Sequence, residues 1–202
     1  MRRRNFLLTV AAMTAAGPAL IDASIQPPAK GKCLIAYFSR KGMNYVSGKI
    51  IDLKVGNTEV IAKKIQAHTS GDLFKIETVK TYPSGYDECT KIAQKELNEK
   101  ARPKLTGTIN NIKDYDVIYL GYPIWWGTMP MAVYTFLASY DFTGKTIIPF
   151  CTHEGSDLGS SVQDIKKVCP KARVLQGLAI KGSNVNDPES DKTVAAWIKK
   201  SK

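Results

Sequence analysis

The chain has 202 residues, of which 44% are hydrophobic and 23% charged, with a formal net charge of +11. That length suits one α/β domain with a substantial core, and the composition excludes a disordered or fibrous protein. No stretch supplies the roughly 18 apolar residues of a membrane span, and no Lys/Arg block interleaved with aromatics marks a nucleic-acid surface. The basic excess reads as a solvated face with at most a weak attraction to anionic surfaces.

The first element reads as a targeting segment. Arg2, Arg3 and Arg4 precede a mostly apolar run, Phe6 to Ile21, followed by small and polar residues and then Gln26-Pro27-Pro28. This layout predicts an export signal over 1–24, a linker over 25–31 and one domain over 32–202. The run Arg3-Arg4-Asn5-Phe6-Leu7 resembles a twin-arginine signal, which implies export of an already folded chain to a bacterial periplasm.

Beyond the linker, strands and helices alternate. Lys32 to Phe38 is an apolar run fit for a strand buried on both faces. Thr58 to His68 sets Thr58, Ile61, Ala62 and Ile65 on one helical face. Asp72 to Thr78 is a second strand, and Tyr86 to Lys100 a helix with Cys89, Ile92, Ala93 and Leu97 in a stripe. Tyr115 to Gly121 is the third strand, followed by a helix over Met129 to Ser139. Lys145 to Cys151 is the fourth, followed by a helix over Leu158 to Val168. Ala172 to Ile180 is the fifth, and Asp187-Pro188 starts a last helix. Five strands alternating with five helices imply an α/β fold with a parallel sheet covered on both faces. Ligands of such sheets sit beyond the carboxyl ends of the strands.

Three post-strand loops then carry the candidate chemistry. After the first strand come Ser39 and, later, Gly56-Asn57-Thr58 at the start of a helix. Helix N-terminal amides suit a phosphate, with Ser39 and Thr58 adding hydroxyls; simple capping by Asn57 or Thr58 explains the same residues. After the third strand comes Gly121-Tyr122-Pro123-Ile124-Trp125-Trp126-Gly127. Paired loop tryptophans fit either a surface for a flat partner or a hydrophobic plug. After the fourth strand, Thr152, His153, Glu154 and Gly155 form a polar turn. No G-x-S-x-G elbow accompanies His153, which leaves a ligand contact or a solvated loop histidine. Gly42 to Ile50 has the wrong spacing for a phosphate-binding P-loop, and Ile50 stands where Ser or Thr is needed. Four cysteines without a C-x-x-C, and only two histidines, argue against zinc, and Cys33, Cys89, Cys151 and Cys169 are predicted to be free thiols. His68, near a helix end, is predicted to meet terminal carbonyls.

Together these loops resemble the flavodoxin family, through Ala36-Tyr37-Phe38-Ser39, Gly56-Asn57-Thr58, the Gly121 to Gly127 loop and Pro149-Phe150-Cys151-Thr152. The resemblance implies a three-layer sandwich around a five-stranded sheet of order 2-1-3-4-5, and FMN as cofactor. It implies phosphate contacts from Ser39, Gly56, Asn57 and Thr58, and a ring site formed by Pro123, Ile124, Trp125, Trp126, Gly127, Thr152, His153 and Gly155. No residue is singled out as catalytic. Two features depart from the family: a Met43 to Val55 insertion separates Ser39 from Thr58, and the chain is basic. The expected function is electron transfer with a redox partner protein or a small-molecule donor or acceptor. The alternatives are an FMN-dependent NAD(P)H oxidoreductase acting on a quinone, or an exported protein that keeps the fold without the flavin.

Overall fold

A computed structural model describes residues 32–201. The predicted signal and linker lie outside these residues. The described residues form eight strands and five α-helices: β1 (Lys32–Tyr37), β2 (Gly42–Val46), β3 (Lys49–Leu53), α1 (Asn57–Thr69), β4 (Asp72–Lys75), α2 (Tyr86–Asn98), β5 (Tyr115–Pro123), α3 (Met131–Ala138), β6 (Thr146–His153), α4 (Ser161–Val168), β7 (Arg173–Val174), β8 (Leu178–Lys181) and α5 (Pro188–Lys200).

The main sheet is parallel in the order β4-β1-β5-β6-β7, with β8 also on β6. It therefore has six strands rather than the expected five, because the stretch predicted as one fifth strand is broken. Pro149 gives the reason. The carbonyls of Lys145 and Ile147 accept from Arg173 and Leu175. Residue 149 faces the same side as these two, so the next rung needs a donor from 149 to the Leu175 carbonyl. Proline has none. Pairing resumes at Phe150 with Leu178.

Alternation along the strands builds two cores. Leu34, Ala36, Ile118, Leu120 and Ile147 face Val133, Phe136 and Ile165 from α3 and α4. Ile35, Tyr119, Ile148 and Phe150 face Ile61 and Ile65 of α1 and Val194 and Ile198 of α5. Gly121 lies opposite Phe150, and a Cβ there would come within 2.1 Å of the Phe150 ring. The N-terminus of α5 is capped as predicted, with the Asp187 side chain accepting from the Glu189 amide. His68 departs from expectation: its Nε2 lies 3.2 Å from Asp191 Oδ1 on α5, tying two helices together.

The Met43 to Val55 insertion forms a separate antiparallel hairpin, β2–β3. Its turn residues Ser47 and Gly48 have φ of 48° and 87°, the positive values of a type I′ turn, which matches strand twist. Gly42 and Gly48 thus serve the base and tip of the hairpin. Among the described residues no helix is long and apolar enough to cross a membrane.

Candidate functional site

A cleft of about 300 Å³ opens beyond the carboxyl ends of β1, β5 and β6. Of the sequence-predicted residues, Ser39, Asn57, Thr58, Pro123, Ile124, Trp125, Trp126, Thr152 and His153 line it. Gly56, Gly127 and Gly155 do not; they shape the backbone behind it.

One end of the cleft is the start of α1. Its N-cap is Gly56, not Asn57 or Thr58, and this residue has no side chain with which to cap the helix. The amides of Asn57 and Thr58 therefore keep unpaired donors at the positive end of the helix dipole, whereas those of Glu59 and Val60 are bonded. Despite the insertion, Ser39 is packed here: its Oγ accepts from the Glu59 amide at 3.0 Å. Gly56 permits that approach, since a Cβ would lie 2.3 Å from Ser39 Oγ. The Thr58 and Thr152 hydroxyls bond at 2.8 Å in a buried position, joining this end to the loop after β6.

The opposite wall is aromatic. Trp125 and Thr128 exchange backbone bonds of 2.8 and 3.1 Å around Trp126 and Gly127, whose φ values are 52° and 81°. Two positive values again define a type I′ turn, and Trp126 accepts a conformation that side chains rarely adopt. The indoles differ. Trp125 packs edge-on against Phe38 and Tyr82. Trp126 is 52% exposed, and its Nε1 donates to the Thr90 carbonyl of α2 at 3.0 Å. The turn is pinned from below by Asp164, whose Oδ2 accepts from the hydroxyls of Thr128, Tyr134 and Ser160. Burial raises the Asp164 pKa, but these hydroxyls and Lys167 outweigh it and hold the carboxyl below its ordinary value.

The third wall is the loop after β6, continuous with the β5 loop through the Ile124 amide and the Thr152 carbonyl at 2.9 Å. His153 is not solvated. Its side chain is 9% exposed, and its Nδ1 accepts from the amides of Gly155 and Asp157. That fixes the proton on Nε2, which lies 3.3 Å from Asp157 Oδ1. The ring orders this loop.

Several lining residues escaped sequence reading. Arg40, Asn44 and Tyr45 come from the hairpin and its base, and Tyr86, Cys89, Thr90 and Ala93 from α2. The helical periodicity of Cys89 and Ala93 marked a buried stripe without saying that one end of it borders a cleft. Arg40 anchors the hairpin: its guanidinium donates to the carbonyls of Met43, Pro83, Ser84 and Gly85. Burial pushes the Cys89 thiol up, against the opposing effect of Arg40.

A parallel sheet of order β4-β1-β5-β6-β7 between two helical layers, with a cleft beyond its carboxyl ends, fits the flavodoxin-like class. The family description Flavodoxin matches residues 32–201, and the chain belongs to that family. A protein described as a flavoprotein from Bacteroides eggerthii DSM 20697 is 31% identical, with a TM-score of 0.67, covering 83% of this chain and 96% of that one. One from Bacteroides uniformis ATCC 8492 is 29% identical, with a TM-score of 0.66 over 84% and 98%. A flavoprotein of Lactobacillus acidophilus NCFM, solved in complex with FMN, shares the fold at 21% identity and a TM-score of 0.55, over 77% and 97%. No curated protein matches the chain.

Proposed function

We propose that the chain holds FMN noncovalently in this cleft and exchanges electrons with a redox partner protein or a small-molecule donor or acceptor. The observation that carries the reading is one cleft with a helix N-terminus offering the free amides of Asn57 and Thr58 at one end and indole at the other, in a chain of the flavodoxin family. The residues fit the group: the amides of Asn57 and Thr58 with the hydroxyls of Ser39 and Thr58 suit a phosphate, and the aromatic wall suits a planar ring. A bound flavin supplies one- or two-electron chemistry.

The chain supplies position and dielectric. Trp125 and Trp126 would flank a bound ring and limit its contact with water, and an indole wall would disfavour extra negative charge there, which would lower the reduction potential. The residues that would hold the ring are Ile124, Trp125 and Trp126 on one side of the cleft and Thr152 and His153 on the other, with Gly127 and Gly155 shaping the loops behind them. Trp126 stands at the exposed lip of the cleft, so a ring held against it would lie near the surface, within reach of a partner. Arg40 is engaged by backbone carbonyls rather than open to the phosphates of a nicotinamide cofactor, which favours a carrier over a reductase. Export of the folded holoprotein through a twin-arginine signal over 1–24 belongs to the same reading.

The full chain is expected to bind one FMN with quenched flavin fluorescence, and to leave NAD(P)H unoxidised in the presence of a quinone. Turnover above the buffer rate moves the assignment to an NAD(P)H oxidoreductase. Failure to bind FMN leaves a flavin-less fold.

A further inference from the structure

Glu154 lies in the loop after β6 and lines the cleft, yet it has only half of its hydrogen bonds. Its Oε2 accepts from the Ser47 amide at the tip of the β2–β3 hairpin, at 2.9 Å. Its Oε1 is buried and has no partner among the described residues. A glycine makes the room that this atom occupies. Gly182 stands beside it, where a Cβ would come within 2.2 Å of Oε1 and 2.6 Å of Asn57 Nδ2. The orphaned oxygen thus sits beside Asn57, at the end of the cleft formed by the start of α1.

A carboxylate oxygen only accepts, and a buried acceptor without a donor is costly. A phosphate dianion has no donor to offer and would be repelled by this oxygen. The complementary group is a neutral hydroxyl. We infer that Glu154 Oε1 binds a hydroxyl of the polyol chain that joins the phosphate of a bound flavin to its ring, while Oε2 fastens the hairpin across the same end of the cleft. This rests on the flavin reading and adds to it a residue selective for the hydroxylated chain rather than for the phosphate or the ring.

The test compares three probes on the full chain, with fluorescence quenching as the readout: FMN, riboflavin, which lacks the phosphate, and lumiflavin, which lacks the hydroxylated chain. A hydrogen bond to a charged group makes the expected loss in Glu154→Ala about tenfold or more, equal for FMN and riboflavin. Lumiflavin affinity is expected to stay unchanged, which also reports that the variant is folded. Glu154→Gln, which keeps an acceptor oxygen, recovers part of the loss. The inference is overturned if all three probes weaken together, if FMN and riboflavin keep their affinity, or if FMN alone binds more tightly. If the unaltered chain binds none of the three, it is the flavin reading itself that fails, and the inference with it.

Discussion

Ser39 and Trp126 show how differently single residues declare themselves. Ser39 already accepts from the Glu59 amide, so its hydroxyl hydrogen is free to donate into the cleft. Ser39→Ala is therefore expected to weaken FMN several-fold and to leave riboflavin unaffected, since only the phosphate is lost between the two; equal losses would remove Ser39 from the phosphate site. Trp126→Ala removes an indole from the lip and is expected to lower FMN affinity about tenfold. An unchanged affinity would take Trp126 out of the ring site. Both residues were legible in the sequence, Ser39 by following a strand and Trp126 by being a large aromatic in a loop. Glu154 was not. Its significance comes from an unpaired oxygen, and pairing depends on Ser47 and Gly182, far away in the chain.

Among the elements, the turn from Trp125 to Thr128 depends on α4. Asp164 holds three hydroxyls, and its pKa is lowered in the folded state. A depressed carboxyl stabilises the fold at pH above the ordinary value of 3.8, and that contribution is lost as the pH falls through the lower folded value. Asp164→Asn keeps one acceptor oxygen and is expected to cost about 1–3 kcal/mol at neutral pH. Denaturant unfolding at a series of pH values should show the gap to the unaltered chain closing below the carboxylate range; a gap independent of pH would assign the cost to packing instead. Strands and helices were legible because their periodicities are local. Two element-level features were not. The break after β7 depends on a proline in the neighbouring strand, and periodicity within Ala172–Ile180 cannot register a missing donor on β6. The hairpin was visible only as an insertion. What mattered was that it closes on itself, so that Ser39 and Gly56 meet as though it were absent.

For the whole molecule, sequence order and sheet order together decide which loops meet. The alternating pattern implied a sheet with loops at its carboxyl ends, and β1, β5 and β6 are adjacent in it, so their three loops share one cleft. The contributions of α2 and the hairpin to that cleft follow from tertiary packing, which no local motif encodes. The thiols also report on the intact fold. Burial pushes Cys33 and Cys169 up to about 11 and Cys151 up to about 12, and all four cysteines are free. A thiol reagent at pH 8 is therefore expected to react slowly with the native chain and with four groups after unfolding. Fewer than four would reveal a disulfide.

A crystal structure of the chain grown with FMN bears most directly on the central claim. Phosphate density at the amides of Asn57 and Thr58, with the ring against Trp125 or Trp126, is the expected result. A flavin bound elsewhere, or a cleft closed by the chain's own side chains in the presence of saturating FMN, would contradict it.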